Sequence, residues 1–224
     1  MSSSLLKMAD AYPEGGGQEA QRDQDERSRA AILGLRIFLA VVSSFFFLFL
    51  IAFIARSQLG DWRPLTEPAA PLYRVEPLLL NTLVLMMGSL ALQWARVVAR
   101  HGRRLESFAG FLLGGFCALG FIAGQLWLWR TFVVLGYGFS VNPANSFFFL
   151  LTGLHGLHLL GGLVVWARTL WRYGCGLPLA QLSRSLALCA IYWHYLLALW
   201  LVLFVVLSSS PQTYQVIAAF CGLR

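Results

Sequence analysis

The sequence predicts an all-α, polytopic membrane protein with five transmembrane helices. Of its 224 residues, 58% are hydrophobic and only 12% are charged, which is too apolar for a soluble domain of this length. Five apolar segments are each long enough to cross about 30 Å of hydrocarbon, since an α-helix rises about 1.5 Å per residue. We therefore place the chain among the multi-pass membrane proteins.

The five predicted spans follow a charged tail and are joined by loops of differing length. They cover residues 31–55, 77–98, 108–135, 146–166 and 184–207. The second begins directly after Glu76, and the last three are separated by short loops, which favour antiparallel neighbours in space. The predicted organisation is a five-helix membrane domain at residues 30–210 and a short C-terminal tail at 211–224, to which we assign no role.

Residues 1–29 form a polar N-terminal tail for which the sequence predicts disorder. The tail is rich in Gly, Gln and charged residues, with four basic and six acidic side chains. Such a composition buries too little apolar surface to offset the entropy of folding. Because it has no early apolar core, the tail does not have the pattern of a secretory signal.

Basic residues are distributed unevenly between the two predicted sides of the membrane. The net charge is +7, and the tail is acidic, so the excess lies in the arginines that flank the spans. With Arg36 of the first span set aside, the tail and the loops on its side carry eleven basic residues and the opposite side carries five. The positive-inside rule then predicts a cytoplasmic N-terminus and an external C-terminus. This pattern indicates membrane topology rather than a surface that binds nucleic acid.

Carboxylates are missing from the interior of the predicted spans. No Asp or Glu follows Glu106, no span contains Lys, and the first two spans contain no acidic residue, since Glu76 precedes the second. Proton pumps and ion-coupled transporters usually place acidic groups within the membrane, so the sequence argues against those classes. General acid–base catalysis would have to depend on histidine alone.

Three histidines lie within the spans, at His155, His158 and His194. The first two are three residues apart and therefore project about 60° from each other. His158 and His194 are each about 12 Å from the cytoplasmic edge, so the fourth and fifth helices could bring them together. A three-histidine zinc or copper site and a bis-histidine haem are the alternatives, but no carboxylate is present to orient such ligands. We favour neutral histidines that are hydrogen-bonded to their neighbours or to lipid headgroups.

Small and aromatic residues occupy the same two spans. Gly153 and Gly156 are predicted to let a neighbouring helix approach closely. Trp193 and Trp200 are seven residues apart and form one aromatic ridge. Core or subunit packing is the favoured interpretation of the ridge, with binding of a quinone or another ligand as the alternative.

These residues together resemble subunit III of the haem–copper respiratory oxidases, in its five-helix bacterial form. The strongest motif is residues 147–158, which read Phe-Phe-Phe-Leu-Leu-Thr-Gly-Leu-His-Gly-Leu-His, followed by the glycines 161–162. Residues 192–195, Tyr-Trp-His-Tyr, match the signature of the family's last helix, and Asn81 lies in a Leu-Asn-Thr segment that is similar to its second helix here.

Three acidic positions of the family are aliphatic in this chain. The glutamate after the first helix's Phe-Leu-Ala falls at residues 41–42, which are both Val. The glutamate of the third helix corresponds to Leu128, and the aspartate of the last helix to Leu197. The joint loss suggests a divergent branch in which any proton-related role of those groups has gone.

The resemblance implies a subunit with no catalytic residue and no cofactor of its own, because haem and copper belong to subunits I and II. It further implies a place beside subunit I in the bacterial inner membrane, stabilisation of the active centre during turnover, and phospholipids enclosed in a cleft. The residues expected to shape the bundle interior or its lipid contacts are His155, His158, Trp193, His194, Asn81, Gly153 and Gly156. Two alternatives stay open: a similar accessory protein of a nitric oxide reductase or quinol oxidase, and a free-standing bis-histidine haem protein.

Overall fold

Helices make up the regular structure in the computed structural model, which describes residues 15–66, 75–175, 179–220 and 222. The helices of these residues are α1 (Gly15–Arg56), α2 (Glu76–Arg100), α3 (Arg104–Val134), α4 (Pro143–Gly174), α5 (Leu179–Leu207) and α6 (Pro211–Phe220). Five of them, α1 to α5, contain a stretch that is long and apolar enough to cross a membrane. The prediction of an all-α protein with five spans is therefore confirmed.

The chain divides into two compact units, Met1–Ala40 and Val41–Arg224, and α1 runs through the boundary. In the first unit the described residues form the first part of α1, which begins at Gly15. The part of the predicted disordered tail that the structure describes is therefore helical. Gln, Glu, Ala and Arg all favour helices, and a helix already formed by an apolar span extends into them without a new nucleation step.

Local sequence explains several helix ends in the second unit. Asn142 caps α4, because its side-chain oxygen accepts a hydrogen bond from the amide of Ala144 at 3.3 Å, and Pro143 occupies the first helical position. Gly102 and Gly136 have positive φ angles of 79° and 86° in the turns after α2 and α3. The last turns of α4 extend beyond the predicted end at residue 166, as far as Gly174.

The C-terminal tail contains a sixth helix that the sequence analysis did not predict. Helix α6 buries Tyr214 and Ala218, one turn apart, on a single face. The Tyr214 hydroxyl donates to the carbonyl of Val206 at 2.8 Å, and its ring meets Phe53 edge-on at 5.3 Å. This helix therefore packs across the ends of α1 and α5, and burial raises the pKa of the Tyr214 phenol.

Close packing of α2 on α3 depends on glycine. A Cβ atom on Gly88 would lie 2.9 Å from Cys117 Cβ, and one on Gly114 would lie 3.2 Å from the Gly88 carbonyl oxygen. Close approach through small residues is a principal source of helix association in a bilayer, where burial of apolar surface gives no advantage. Helix α5 contacts both α2 and α4.

The loop after α1 is closed by an ion pair whose strength depends on pH. Arg56 donates to both carboxylate oxygens of Asp61, at 2.6 and 2.5 Å, and this bond holds the pKa of Asp61 below its ordinary value of 3.8. A carboxyl group whose pKa is lower in the folded than in the unfolded protein stabilises the fold. This stabilisation is fully present at pH values above the ordinary pKa, and it is lost as the pH falls through the lowered pKa. The effect is small because the pair is exposed.

We expect amide exchange at residues 57–60, corrected for its intrinsic pH dependence, to accelerate as pH falls below 3.8. Asp61→Asn should show the same acceleration already at neutral pH. If the variant and the parent protein exchange alike at neutral pH, the pair does not hold the loop.

Candidate functional site

The centre of the bundle is a hydrogen-bonded and aromatic cluster around Trp200. The Trp200 ring is fully buried and meets Phe121 edge-on, with 4.8 Å between ring centroids. Its indole N–H donates to the hydroxyl of Thr82 at 2.9 Å, and that hydroxyl donates in turn to the carbonyl of Leu78 at 2.8 Å. The cluster therefore ties α5 to α2 and packs it against α3.

His155 lies beside this cluster with no water-exposed surface. Its ring is 5.1 Å from the Trp200 ring and 5.8 Å from the Phe121 ring, measured between centroids. Neither ring nitrogen has a hydrogen-bond partner among the described residues. The histidine is thus held by aromatic contacts, and the polar partner that the sequence analysis expected is not found in the described part of the chain.

Asn81 forms a second buried contact between α2 and α3. Its side-chain amide donates to the side-chain oxygen of Gln125 at 3.3 Å. Asn81 can lie this close to α3 because residue 124 is a glycine. A Cβ atom there would lie 2.5 Å from the Asn81 side-chain oxygen. The amide nitrogen of Gln125 is buried and has no partner among the described residues.

His194 bonds to α2 and not to α4. Its Nδ1 lies 2.5 Å from the Ser89 hydroxyl, and its Nε2 lies 3.3 Å from the Gln93 side-chain oxygen. The first partner is buried and the second is half-buried. Because a Gln oxygen only accepts, Nε2 carries the proton, and Nδ1 accepts from Ser89. Both ring nitrogens therefore serve the contact between α5 and α2.

His158 has different surroundings. Its Nδ1 lies 2.7 Å from the carbonyl of Leu154 on its own helix, and its ring packs edge-on against Phe46 of α1 at 5.6 Å. The Tyr192 hydroxyl donates to the His158 carbonyl at 2.9 Å, which joins α5 to α4. His158 and His194 thus contact different helices. In the ranges that the structure describes, no three His, Cys, Asp or Glu side chains are grouped as a metal ion would require.

Trp193 marks the close contact between α4 and α5. The side chain is buried, and a Cβ atom on Gly162 would lie 3.0 Å from its ring. The close approach that was predicted at Gly153 and Gly156 is therefore made at Gly162. At Gly156 no described helix of this chain approaches, because a Cβ atom there would meet nothing within 4 Å. At Gly153 the nearest group is the flexible ring of Trp129, at 3.3 Å, and no backbone approaches.

Both of these glycines instead border an open, apolar groove between α3 and α4. This α3/α4 groove has a volume of about 370 Å³. Its walls are Phe121, Gln125, Leu126 and Trp129 on α3 and Gly153 and Gly156 on α4. The Trp129 indole donates to the Thr152 hydroxyl at 3.1 Å and fixes one end of the wall.

Sequence reasoning selected Asn81 but missed its partner Gln125, and it missed Thr82 and Ser89 as partners of Trp200 and His194. The available signal was the presence of single amide and hydroxyl groups inside apolar spans, where an unpaired polar group is costly. What the sequence could not supply was the rotation of each helix, which decides which group faces which. At the three positions with aliphatic replacements, Val42 and Leu128 are buried, Leu197 is partly buried and Val41 is exposed.

The interior of these spans thus contains hydroxyl, amide and imidazole groups without a carboxylate. Such groups can bond helices together and present donors to a ligand, but they offer no acidic site at which a proton could rest at neutral pH.

The chain is similar to known proteins of one family. A family model described as cytochrome c oxidase subunit III matches residues 24–209. A probable cytochrome c oxidase subunit 3 of Mycobacterium tuberculosis is 31% identical over 161 residues, which are 71% of this chain and 77% of that protein. The cytochrome c oxidase subunit 3 of Thermostichus vulcanus is 29% identical over 182 residues, 79% and 85% of the two chains. That of Triticum aestivum is 29% identical over 198 residues, 81% and 71%.

Proposed function

The chain belongs to the cytochrome c oxidase subunit III family, and we propose that it is the subunit that braces the catalytic core of a terminal haem–copper oxidase. In this role it packs beside subunit I, has no catalytic residue, and leaves haem and copper to subunits I and II. The proposal includes a bacterial inner membrane, an N-terminus in the cytoplasm and phospholipids held against the bundle.

The bracing role is supported by the hydrogen bonds that the buried polar groups form. Those with partners mostly bond one helix to another: Trp200 to Thr82, Asn81 to Gln125, His194 to Ser89, Trp129 to Thr152 and Tyr192 to the backbone of α4. Interhelical bonds of this kind hold a bundle in one geometry in the bilayer. A rigid bundle can resist movement of a neighbouring subunit, which is what stabilisation during turnover requires.

Affinity purification of the tagged full-length chain in a mild detergent tests the assembly. We expect a large polytopic partner that carries haem to co-purify, and an optical spectrum to separate an oxidase from a nitric oxide reductase. The oxidase reading fails if the chain is recovered alone, or with a partner that reduces nitric oxide but not oxygen.

Deletion of the chain tests the bracing role separately. We expect the complex that lacks it to start at a similar rate and then to lose activity during turnover roughly tenfold sooner, which corresponds to a barrier to inactivation that is lower by about 1.4 kcal/mol. The measurement is oxygen consumption followed until inactivation, with the re-added chain as control. An unchanged number of turnovers before inactivation would contradict the proposal.

A further inference from the structure

The outer surface where α2 and α5 meet carries polar groups within the membrane-spanning region. His194 and Gln93 are hydrogen-bonded to each other at 3.3 Å, and both are half-buried, so part of each side chain is presented outside the bundle. The exposed residues at helical spacing beside them are apolar: Met86, Leu90 and Val97 on α2, and Ala198, Leu201 and Val205 on α5. We call these eight residues, together with Arg96, the α2/α5 face.

The polar groups of the α2/α5 face offer hydrogen-bond donors that lack acceptors. The side-chain oxygen of Gln93 accepts from His194, which leaves the amide group of Gln93, and this group only donates. Arg96 lies nearly one turn further along α2, and its charge acts on the His194 imidazole across the two helices. The Nε of Arg96 is buried and has no partner among the described residues. A guanidinium beside an amide donor is best matched by a carboxylate.

The second unit of the chain has no carboxylate to place here. After residue 40 the acidic residues of the sequence are Asp61, Glu67, Glu76 and Glu106. The first three precede Arg96 by at least twenty residues, and Glu76 begins α2 at its opposite end, about 30 Å away along the helix axis. Glu106 is already paired with Arg103. The acceptor therefore has to come from outside this unit.

The depth of the α2/α5 face favours a protein over a lipid headgroup as the source of that acceptor. Gln93 lies seven residues before the last residue of α2, Arg100, or about 10 Å along the helix axis. With a hydrocarbon core of about 30 Å, Gln93 and its partner His194 lie inside the core, where a lipid phosphate does not reach. A side chain on a neighbouring helix does reach this depth. Ala198, one turn from His194, is small enough to let such a helix approach closely.

We propose that the α2/α5 face docks a transmembrane helix of the oxidase core, and that this helix carries an Asp or Glu whose carboxylate accepts hydrogen bonds from Arg96 and from the amide of Gln93. The exposed apolar residues of the face pack against the rest of the docked helix. This inference rests on the proposed function and identifies the surface through which the bracing subunit recognises its partner.

The charge is tested by Arg96→Gln in the full-length chain, purified with its complex in a mild detergent. Loss of the guanidinium leaves the partner's carboxylate unpaired in the membrane, so the amount of haem recovered per tagged chain should fall roughly tenfold. Arg168→Gln is the matched control, because Arg168 is exposed near the same end of α4 and does not belong to the α2/α5 face. It should leave the recovery of haem unchanged, and both purified variants should keep the unfolding temperature of the parent chain.

The identity of the docked group is tested by a photo-cross-linking amino acid at Ala198 of the same complex, with Val164 as control because it is 69% exposed on α4. The probe at 198 should join the chain to a polytopic partner, and exchange of Arg96→Glu with an arginine at the partner's carboxylate should restore the haem lost in Arg96→Glu alone. A cross-link only to lipid, to a second copy of this chain or to its own N-terminal tail would overturn the proposal. So would normal haem recovery in Arg96→Gln, although the chain would then still be an oxidase subunit that docks through another surface.

Discussion

Trp200→Ala is expected to destabilise the bundle more than any other single truncation considered. The variant removes a fully buried indole, its edge-on contact with Phe121, its contact with His155 and its hydrogen bond to Thr82. Truncation of a buried Trp to Ala in a core costs about 3–5 kcal/mol, and in a bilayer most of that cost comes from lost packing. We expect the chain to dissociate from its complex at lower detergent concentration and lower temperature, as measured by the fraction that co-purifies.

One further variant separates packing from hydrogen bonding at this position, and another serves as a control. Trp200→Phe keeps most of the ring contact but removes the donor to Thr82, and should cost about 1 kcal/mol. Trp127→Ala is the matched control, because Trp127 is 60% exposed on α3 and its loss should leave co-purification nearly unchanged. Equal losses for Trp200→Ala and Trp127→Ala would mean that the central cluster does not hold the bundle together.

The five spans were predictable because a bilayer imposes one dominant requirement, a long run of apolar residues with every backbone group bonded internally. Helix α6 escaped prediction because it does not cross the membrane. Its segment is short and only moderately apolar, and its stability comes from Tyr214 and Ala218 packing on the bundle. The helical start of α1 was missed for a related reason. Its polar residues are helical because they are joined directly to an apolar span that is already a helix.

The candidate site was predicted less well than the fold. The polar residues inside the spans were recognisable, since their cost in a membrane marks them. Their partners were not, because partnership depends on the rotation and tilt of each helix. Gly156 and Gly162 illustrate the limit: both are glycines in α4, yet one faces open space and the other lies against the Trp193 ring. A small residue in a membrane helix permits close approach, and only the position of the neighbouring helix decides whether the approach occurs.

Gly115→Ala is the second change with a large expected effect. A Cβ atom at this position would overlap the indole of Trp166, whose N–H donates to the carbonyl of Phe111 at 2.9 Å. The indole must move and its hydrogen bond must lengthen or break. Overpacking of a filled core costs about 1–3 kcal/mol and the loss of a buried hydrogen bond about 1 kcal/mol, while the gain in helix propensity from Gly to Ala returns about 1 kcal/mol. The net loss is expected to be about 2 kcal/mol, measured as a lowered unfolding temperature of the purified chain in detergent.

The direction of the change in unfolding temperature shows whether the steric contact with Trp166 or the helix propensity dominates. Gly120→Ala makes the same chemical change on the same helix, where a Cβ atom would lie at an ordinary 3.6 Å from Val84. Because only the propensity gain remains there, Gly120→Ala should be neutral or slightly stabilising. The double variant Gly115→Ala with Trp166→Leu should recover part of the loss, since the smaller side chain removes the overlap. If Gly115→Ala behaves like Gly120→Ala, or if the second change gives no recovery, the contact of α3 with α4 at Trp166 is not what holds these helices at their observed spacing.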